Sequence, residues 1–348
     1  MVTTTEARKT KTRPVTRGHS RSRIAESNIP ATMQAAAIDR FGGPEVLKLH
    51  TLPTPMPDAG EVLIAVDTAG VGVWDAEMRD GSLASSRKKF PLVLGTDGSG
   101  VIAAMGSGVR RFKLDDRVYS YAFENPKGGF YAEYVVVSAK MTAHIPKVLD
   151  LDHAGAIPTT GLTALQGIDD ALHLKKGETI IIHGSTGGVG SLAVQFAKLR
   201  EARVLATASG QDGMDFARRL GADMAVDGRH GDLVAVAREF APDGVDAVLG
   251  LAGGEALERC LDTLRPGGRL AYPNGIDPEP KKRPKMHVIP YDAVPGVHEF
   301  DRLGRAVEAA RLRVPIAAVY PLADAAKAHE RLAAGHVLGK IVLRTHQT

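Results

Sequence analysis

Four glycines within seven positions, Gly184, Gly187, Gly188 and Gly190 of "IIIHGSTGGVGSLAVQFAK" (180–198), stand between a β-branched run and a helical repeat. A strand feeding a helix through glycines suits the pyrophosphate of a dinucleotide. Small residues let the backbone come close, and the helix N-terminus offers free N–H groups and positive dipole charge. Gly187, Gly188, Val189 and Gly190 are the residues such a loop would place on the phosphates. The spacing G-x-x-G-G-x-G is not a strict G-x-G-x-x-G, so the assignment rests on its place after a buried strand and inside a β-α-β unit. A tight turn without a ligand is the alternative. His183, beside the loop, reads as a packed or hydrogen-bonded core histidine rather than a catalyst. About 20 residues further on, an NAD site expects an acid for the ribose diol. Here stand Thr207-Ala208-Ser209-Gly210, with no acid until Asp212. Its absence removes repulsion against a 2′-phosphate and points to NADP; NAD held through Ser209 or water is the alternative.

The elements that position this loop follow from periodicity. After Ile157, strands at 178–184, 202–209, 222–227, 245–253 and 267–273 alternate with four helical stretches. That alternation predicts a parallel, doubly wound α/β sheet. Residues 33–145 read instead as short strands separated by Pro and Gly, a compact and partly closed β domain. Residues 274–298 are Pro-rich and read as an exposed loop carrying the basic run "KKRPK" (281–285). The tail adds helices near 299–312 and 322–335 and a final strand, "GKIVLR". The expected organisation is a basic extension (1–30), a β-rich unit (31–152), a dinucleotide unit (153–287) and a return to the first unit (288–348).

Composition narrows the class. With 44% hydrophobic and 24% charged residues the chain is globular, and 348 residues suffice for two domains. Cys260 is the sole cysteine, which excludes an internal disulfide and any cysteine-rich zinc site. No apolar run reaches the roughly 18 residues that span a bilayer, and no secretory h-region opens the chain, so a soluble, cytoplasmic protein is expected. The net charge of +4 is uneven: residues 1–23 hold seven Arg or Lys and one Glu, a net +6, which leaves −2 for the rest. That head is too polar to form a core and is expected to be disordered. It reads as a solvated extension, with a transit peptide or a nucleic-acid-binding arm as alternatives. Nucleic acid is not the expected partner.

In domain order and in several segments, the chain resembles the medium-chain dehydrogenase/reductase superfamily, and within it the zinc-free quinone oxidoreductase branch that includes zeta-crystallin. The carriers are "FGGPEVL" (41–47), "LVLGTDGSGVI" (92–102), "FKLDDRVYSY" (112–121), "GGFYAEYVVV" (128–137), "GLTAL" (161–165), the glycine loop, "RLGAD" (219–223), "LRPGGRL" (264–270) and "AHERLAAGHVLGKIVL" (328–343). The resemblance implies a GroES-like catalytic domain, a Rossmann domain, NADP(H) as cofactor and a homodimer. Zinc-dependent members carry Gly-His-Glu where this chain has Gly95-Thr96-Asp97, and a cysteine where it has Gly72. A catalytic zinc needs about three protein ligands and an open position; two are missing, so no zinc is expected.

Without a metal, hydride can still reach an electron-poor carbon if the substrate spreads the developing charge itself. Quinones and α,β-unsaturated carbonyl compounds do so, leaving the protein to position, exclude water and hydrogen-bond an oxygen. By resemblance, Thr163 and Gly275 approach the nicotinamide side, and Ser209 the adenine ribose or its phosphate. Gly213 replaces the family's usual basic residue, which leaves Arg229 as a candidate cation for a 2′-phosphate. Gly72 stands where quinone reductases commonly have Asn, and Glu77 where some have Tyr. Trp74 is a candidate for stacking on a flat substrate or for the core, and Trp74 and Glu77 are the substrate-pocket candidates. An enoyl-thioester reductase, or an NADPH-binding structural or RNA-binding protein without turnover, are the alternatives.

Overall fold

The computed structural model describes residues 29–83 and 89–346; the basic segment 1–23 lies outside the described residues. Up to residue 144 these form β1 (Thr32–Ile38), β2 (Lys48–Pro53), β3 (Glu61–Val71), β4 (Leu92–Val93), β5 (Asp97–Met105), β6 (Arg117–Tyr121), β7 (Tyr134–Ser138) and β8 (Thr142–His144). Strands β3, β5, β6 and β8 pair antiparallel in that order, and β7 joins β3. β1 lies between β2 and β4. Helix α1 (Val73–Asp80) leaves the end of β3 through Gly72. Its Asp75 accepts the Gly72 N–H at 2.8 Å, which supplies one half of a capping box.

Two short helices, α2 (Leu151–Gly155) and α3 (Pro158–Gln166), carry the chain into the second unit. There β9 (Thr179–His183), α4 (Gly188–Leu199), β10 (Arg203–Ala208), α5 (Gly210–Arg219), β11 (Met224–Asp227), α6 (Leu233–Phe240), β12 (Val245–Gly250), α7 (Glu255–Leu261), β13 (Leu264–Pro273) and β14 (His287–Tyr291) follow. Every pairing among these strands is parallel. The order β11-β10-β9-β12-β13-β14 is that of a dinucleotide-binding, doubly wound sheet, whose ligand crevice lies where the order reverses at the carboxyl end of β9. All five residues of β9 are buried, as helices on both faces require.

The chain returns through α8 (Val297–Ala310), β15 (Ile316–Pro321), α9 (Ala325–Ala333) and β16 (Lys340–Arg344). β16 pairs antiparallel with β3, so the C-terminus completes the sheet begun near the N-terminus. One core joins Leu162, Ile180, Ile182, Phe196 and Val204 to Tyr119 and Phe300. A second fills the β-rich unit with Ile64, Ile102, Phe130, Tyr131 and Leu343.

One strand was hidden in a stretch that reads as a loop. β14 lies within 274–298 and pairs with β13 in register Leu270↔Val288, so the parallel sheet runs to Tyr291, past residue 287. Five residues containing Pro290 carry no alternation of their own, and only an edge position accommodates a residue without an N–H.

Candidate functional site

Gly184 follows β9 in the left-handed region (φ +79°), which turns the chain sharply toward α4. A Cβ on Gly190 would run into the Gly184 carbonyl, so only glycine lets the helix sit this close to the strand. Gly187 is the N-cap of α4 and has no side-chain cap. The first N–H groups of a helix have no intrahelical acceptor, so those of Gly188, Val189 and Gly190 lack one, with the helix dipole behind them. A Cβ on Gly187 would meet only the Gly184 carbonyl, at 3.8 Å, so the approach to this N-terminus is open. His183 is buried, its Nδ1 2.8 Å from Thr207 Oγ1, and burial lowers its pKa to about 4, so the ring is neutral and structural.

Opposite the loop, β16 delivers a residue that sequence reasoning missed. Lys340 is 4% exposed, and its Nζ has no hydrogen-bond partner among the described residues. Its stem passes 3.3 Å from where a Cβ on Gly188 would lie, and its ammonium stands 4.6 Å from the centre of the Trp74 ring. A Cβ on Gly70 would touch both Lys340 Cε and Asp97 Oδ1. Asp97 Oδ2 accepts the Thr159 N–H at 2.8 Å. Asp97 Oδ1, Thr159 Oγ1 and Trp74 Nε1 are likewise buried and unpartnered among the described residues. Native interiors leave few such atoms unpaired. A buried cation, an acceptor and two further polar atoms, gathered where the two units meet beside an uncapped helix N-terminus, fit an anionic, hydroxyl-bearing ligand such as a dinucleotide. A lone lysine at the start of a strand gives no sequence signal of burial; its environment exists only once β16 docks on β3.

Beneath this junction lies a buried network. Asp75 accepts at Oδ1 from Thr96 N (3.1 Å) and Thr96 Oγ1 (2.9 Å), and at Oδ2 from Gly72 N (2.8 Å) and Tyr131 Oη (3.4 Å). Arg79 Nη1 is 3.0 Å from His329 Nδ1, and arginine only donates, so Nδ1 accepts and Nε2 carries the proton toward Tyr131 Oη at 3.1 Å. The donors therefore run from Arg79 through His329 and Tyr131 to Asp75. Burial pushes the Asp75 carboxyl up to about 6, while Lys340 draws it down. Burial, reinforced by Arg79, lowers His329 to about 3. Thr96 stands where the resemblance places a zinc-ligating histidine, and here it serves Asp75. Among the described residues no three His, Cys, Asp or Glu side chains are grouped to hold a metal.

The remaining sequence candidates are placed as follows. Trp74 lies folded over Gly72, its ring in the space a side chain at 72 would fill. Glu77, three residues along α1, is half-buried, and burial with the Asp80 charge raises its pKa. The Thr163 hydroxyl is engaged within α3, donating to Thr159 O at 2.9 Å, and the Thr163 carbonyl accepts from Tyr291 Oη. Ser209 is the N-cap of α5, without a side-chain cap bond. Arg229 is exposed, with no carboxylate on its guanidinium among the described residues. Gly275 is exposed after β13, with open space around it. In "KKRPK", Arg283 is spent on Glu258 (2.7 Å) and Asp262 (2.8 Å) of α7 and its C-cap.

A β-rich unit closed by its own C-terminus, around a doubly wound sheet with an uncapped glycine loop, defines a two-domain dinucleotide oxidoreductase. The chain belongs to the medium-chain dehydrogenase/reductase superfamily, in its zinc-independent quinone oxidoreductase branch, and is an enzyme of that family. Residues 58–147 match the alcohol dehydrogenase GroES-like domain and residues 220–343 the zinc-binding dehydrogenase family. The chain is 30% identical over 325 residues to quinone oxidoreductase of Lama guanicoe, covering 89% of this chain and 97% of that one. It is 30% identical over 329 residues to the chloroplastic NADPH-dependent alkenal/one oxidoreductase of Arabidopsis thaliana, covering 92% and 81%. Among solved structures it is similar to a quinone oxidoreductase from Coxiella burnetii (32% identity, 90% and 100% covered, TM-score 0.82). An NAD-dependent alcohol dehydrogenase (31%, 90% and 100%, 0.84) and the Escherichia coli quinone oxidoreductase complexed with NADPH (25%, 90% and 100%, 0.81) share the fold as well.

Proposed function

We propose that the protein reduces quinones or α,β-unsaturated carbonyl compounds with NADPH and without a catalytic metal. The observation that carries this reading is the buried, unpartnered Lys340 ammonium beside the open, uncapped N-terminus of α4. When bound, NADPH supplies a hydride to the electron-poor carbon of an acceptor whose conjugation spreads the charge. The amides of Gly188, Val189 and Gly190 and the Lys340 ammonium hold the pyrophosphate. Asp97 Oδ1 accepts from a ribose hydroxyl, Thr159 Oγ1 accepts from or donates to one, and Ser209 and Arg229 line the adenine-ribose end. Thr163 and Gly275 border the nicotinamide side, with Thr163 acting through the backbone of α3 because its hydroxyl is engaged. Trp74 walls the acceptor side and keeps water out, with Glu77 further along α1. Solvent delivers the proton that completes enone reduction. The names of the relatives support the acceptor class, and the NADPH in the Escherichia coli neighbour supports the cofactor.

No helix among the described residues is long and apolar enough to cross a membrane, and we place the enzyme in the cytoplasm. A homodimer through the edge strand β14, whose outer side has no partner strand among the described residues, completes the reading. Reduction of a 2-alkenal with NADPH deuterated at both C4 positions tests the chemistry. Deuterium at the β-carbon of the saturated product is expected; product without label there contradicts direct hydride transfer.

A further inference from the structure

At the ribose end of the crevice the structure returns an acid that the linear sequence withholds. Asp212 Oδ1 lies 3.0 Å from the position a Cβ on Gly210 would take, so the carboxylate is folded back over the end of β10. His336, from the loop between α9 and β16, meets it with Nε2 2.8 Å from Asp212 Oδ2. Its Cε1 is 4.0 Å from the position of a Cβ on Gly213, the residue that replaces the expected basic side chain. The loop that carries His336 is fixed on both sides. Gly339 N donates to Thr186 O at 2.8 Å within the glycine loop, and Arg331 donates to the carbonyls of Gly335 (2.8 Å) and His336 (3.1 Å). The other nearby acid, Asp227, is saturated by the N–H groups of Arg229, His230 and Gly210. Among the described residues, Asp212 and His336 form a polar side-chain pair at the end of β10 able to exchange partners with a ligand, beside the uncommitted Ser209 and Arg229.

We propose that the Asp212–His336 pair reads the 2′ position of the adenine ribose. Asp212 accepts the ribose hydroxyls of NADH, whereas a 2′-phosphate takes His336 in place of Asp212 and against the charge of that carboxylate. The inference rests on the reading of the glycine loop as a dinucleotide site. It makes this chain a weaker discriminator in favour of NADPH than a lysine at position 213 would, because the His336 ring arrives already paired with a carboxylate.

Calorimetric titration of the full chain with 2′,5′-ADP and with 5′-AMP, fragments that cannot turn over, provides the test. Asp212→Asn removes the repulsion and keeps the shape, so the affinity ratio of 2′,5′-ADP to 5′-AMP rises about tenfold, as expected for one unit charge lost near a phosphate in solvent. His336→Ala removes the ring N–H that a 2′-phosphate would take and lowers the ratio about tenfold, the worth of one hydrogen bond to a charged group. Both side chains are well exposed, and opposite shifts in two variants do not arise from misfolding. If both variants keep the wild-type ratio while binding both fragments, the pair does not select and the inference falls alone. If the wild-type chain binds neither fragment, the dinucleotide reading falls and takes the inference with it.

Discussion

At the scale of the residue, function and stability pull in different directions at Lys340. Burying an ammonium costs several kcal/mol, and although Lys340 draws down the Asp75 carboxyl, its Nζ makes no hydrogen bond and no ion pair within 4.0 Å among the described residues. Lys340→Met is therefore expected to melt no lower than the wild type while NADPH affinity falls between about 10- and 100-fold, the value of one charge-assisted hydrogen bond. Fluorescence titration and a thermal melt on the same sample check both halves; unchanged affinity contradicts the phosphate role. Gly72 and Trp74 form a second coupled pair, because the indole already fills the space a Cβ at 72 needs. Gly72→Ala is expected to cost about 1–3 kcal/mol, as overpacking does. The same change in a Trp74→Ala background should cost little, and additive values in a double-mutant cycle contradict the contact.

At the scale of the element, the glycine loop separates folding from binding. Gly190 is closed against the Gly184 carbonyl, so Gly190→Ala pushes α4 off β9 and costs about 2 kcal/mol or more, a strained close contact with no flexible neighbour to yield. Gly187 has open space and ordinary backbone angles (φ −74°, ψ 178°). Gly187→Ala is expected to fold within about 0.5 kcal/mol of the wild type yet lose most of its dinucleotide affinity, because the methyl group stands where the phosphates approach. Equal binding by the two chains in a calorimetric titration contradicts that placement. This loop was legible in the sequence because its signal is local: a buried run, spaced glycines and a helical repeat. Strand β14 was not, since its pairing partner supplies what its five residues lack. Asp212 reads in sequence as too late to serve the ribose, yet α5 starts with a turn that swings it back over Gly210. Lys340 was invisible for a similar reason, its burial being set by β3 and α4, more than a hundred residues away in the chain.

At the scale of the whole molecule, three buried groups tie stability to pH. His329 and His183 have folded pKa values of about 3 and about 4, below the ordinary imidazole range, so both stay neutral where the unfolded chain takes up protons. Each contribution is present above about pH 6.5 and is lost as pH falls, by about 2 kcal/mol per residue between pH 8 and pH 5. Asp75, raised to about 6, acts in the opposite sense: its folded form holds a proton that the unfolded chain releases, so acid returns about 1 kcal/mol over the same interval. Urea unfolding at the two pH values is expected to show a net loss of about 3 kcal/mol at pH 5, and a flat profile contradicts the buried, neutral histidines. The catalytic account makes the most direct demand. NADPH oxidation by the purified chain should be followed with 1,4-naphthoquinone and a 2-alkenal, with a strong chelator present throughout. Turnover that the chelator leaves intact is the predicted result; no oxidation with either acceptor, or activity that the chelator abolishes, contradicts a metal-independent reductase.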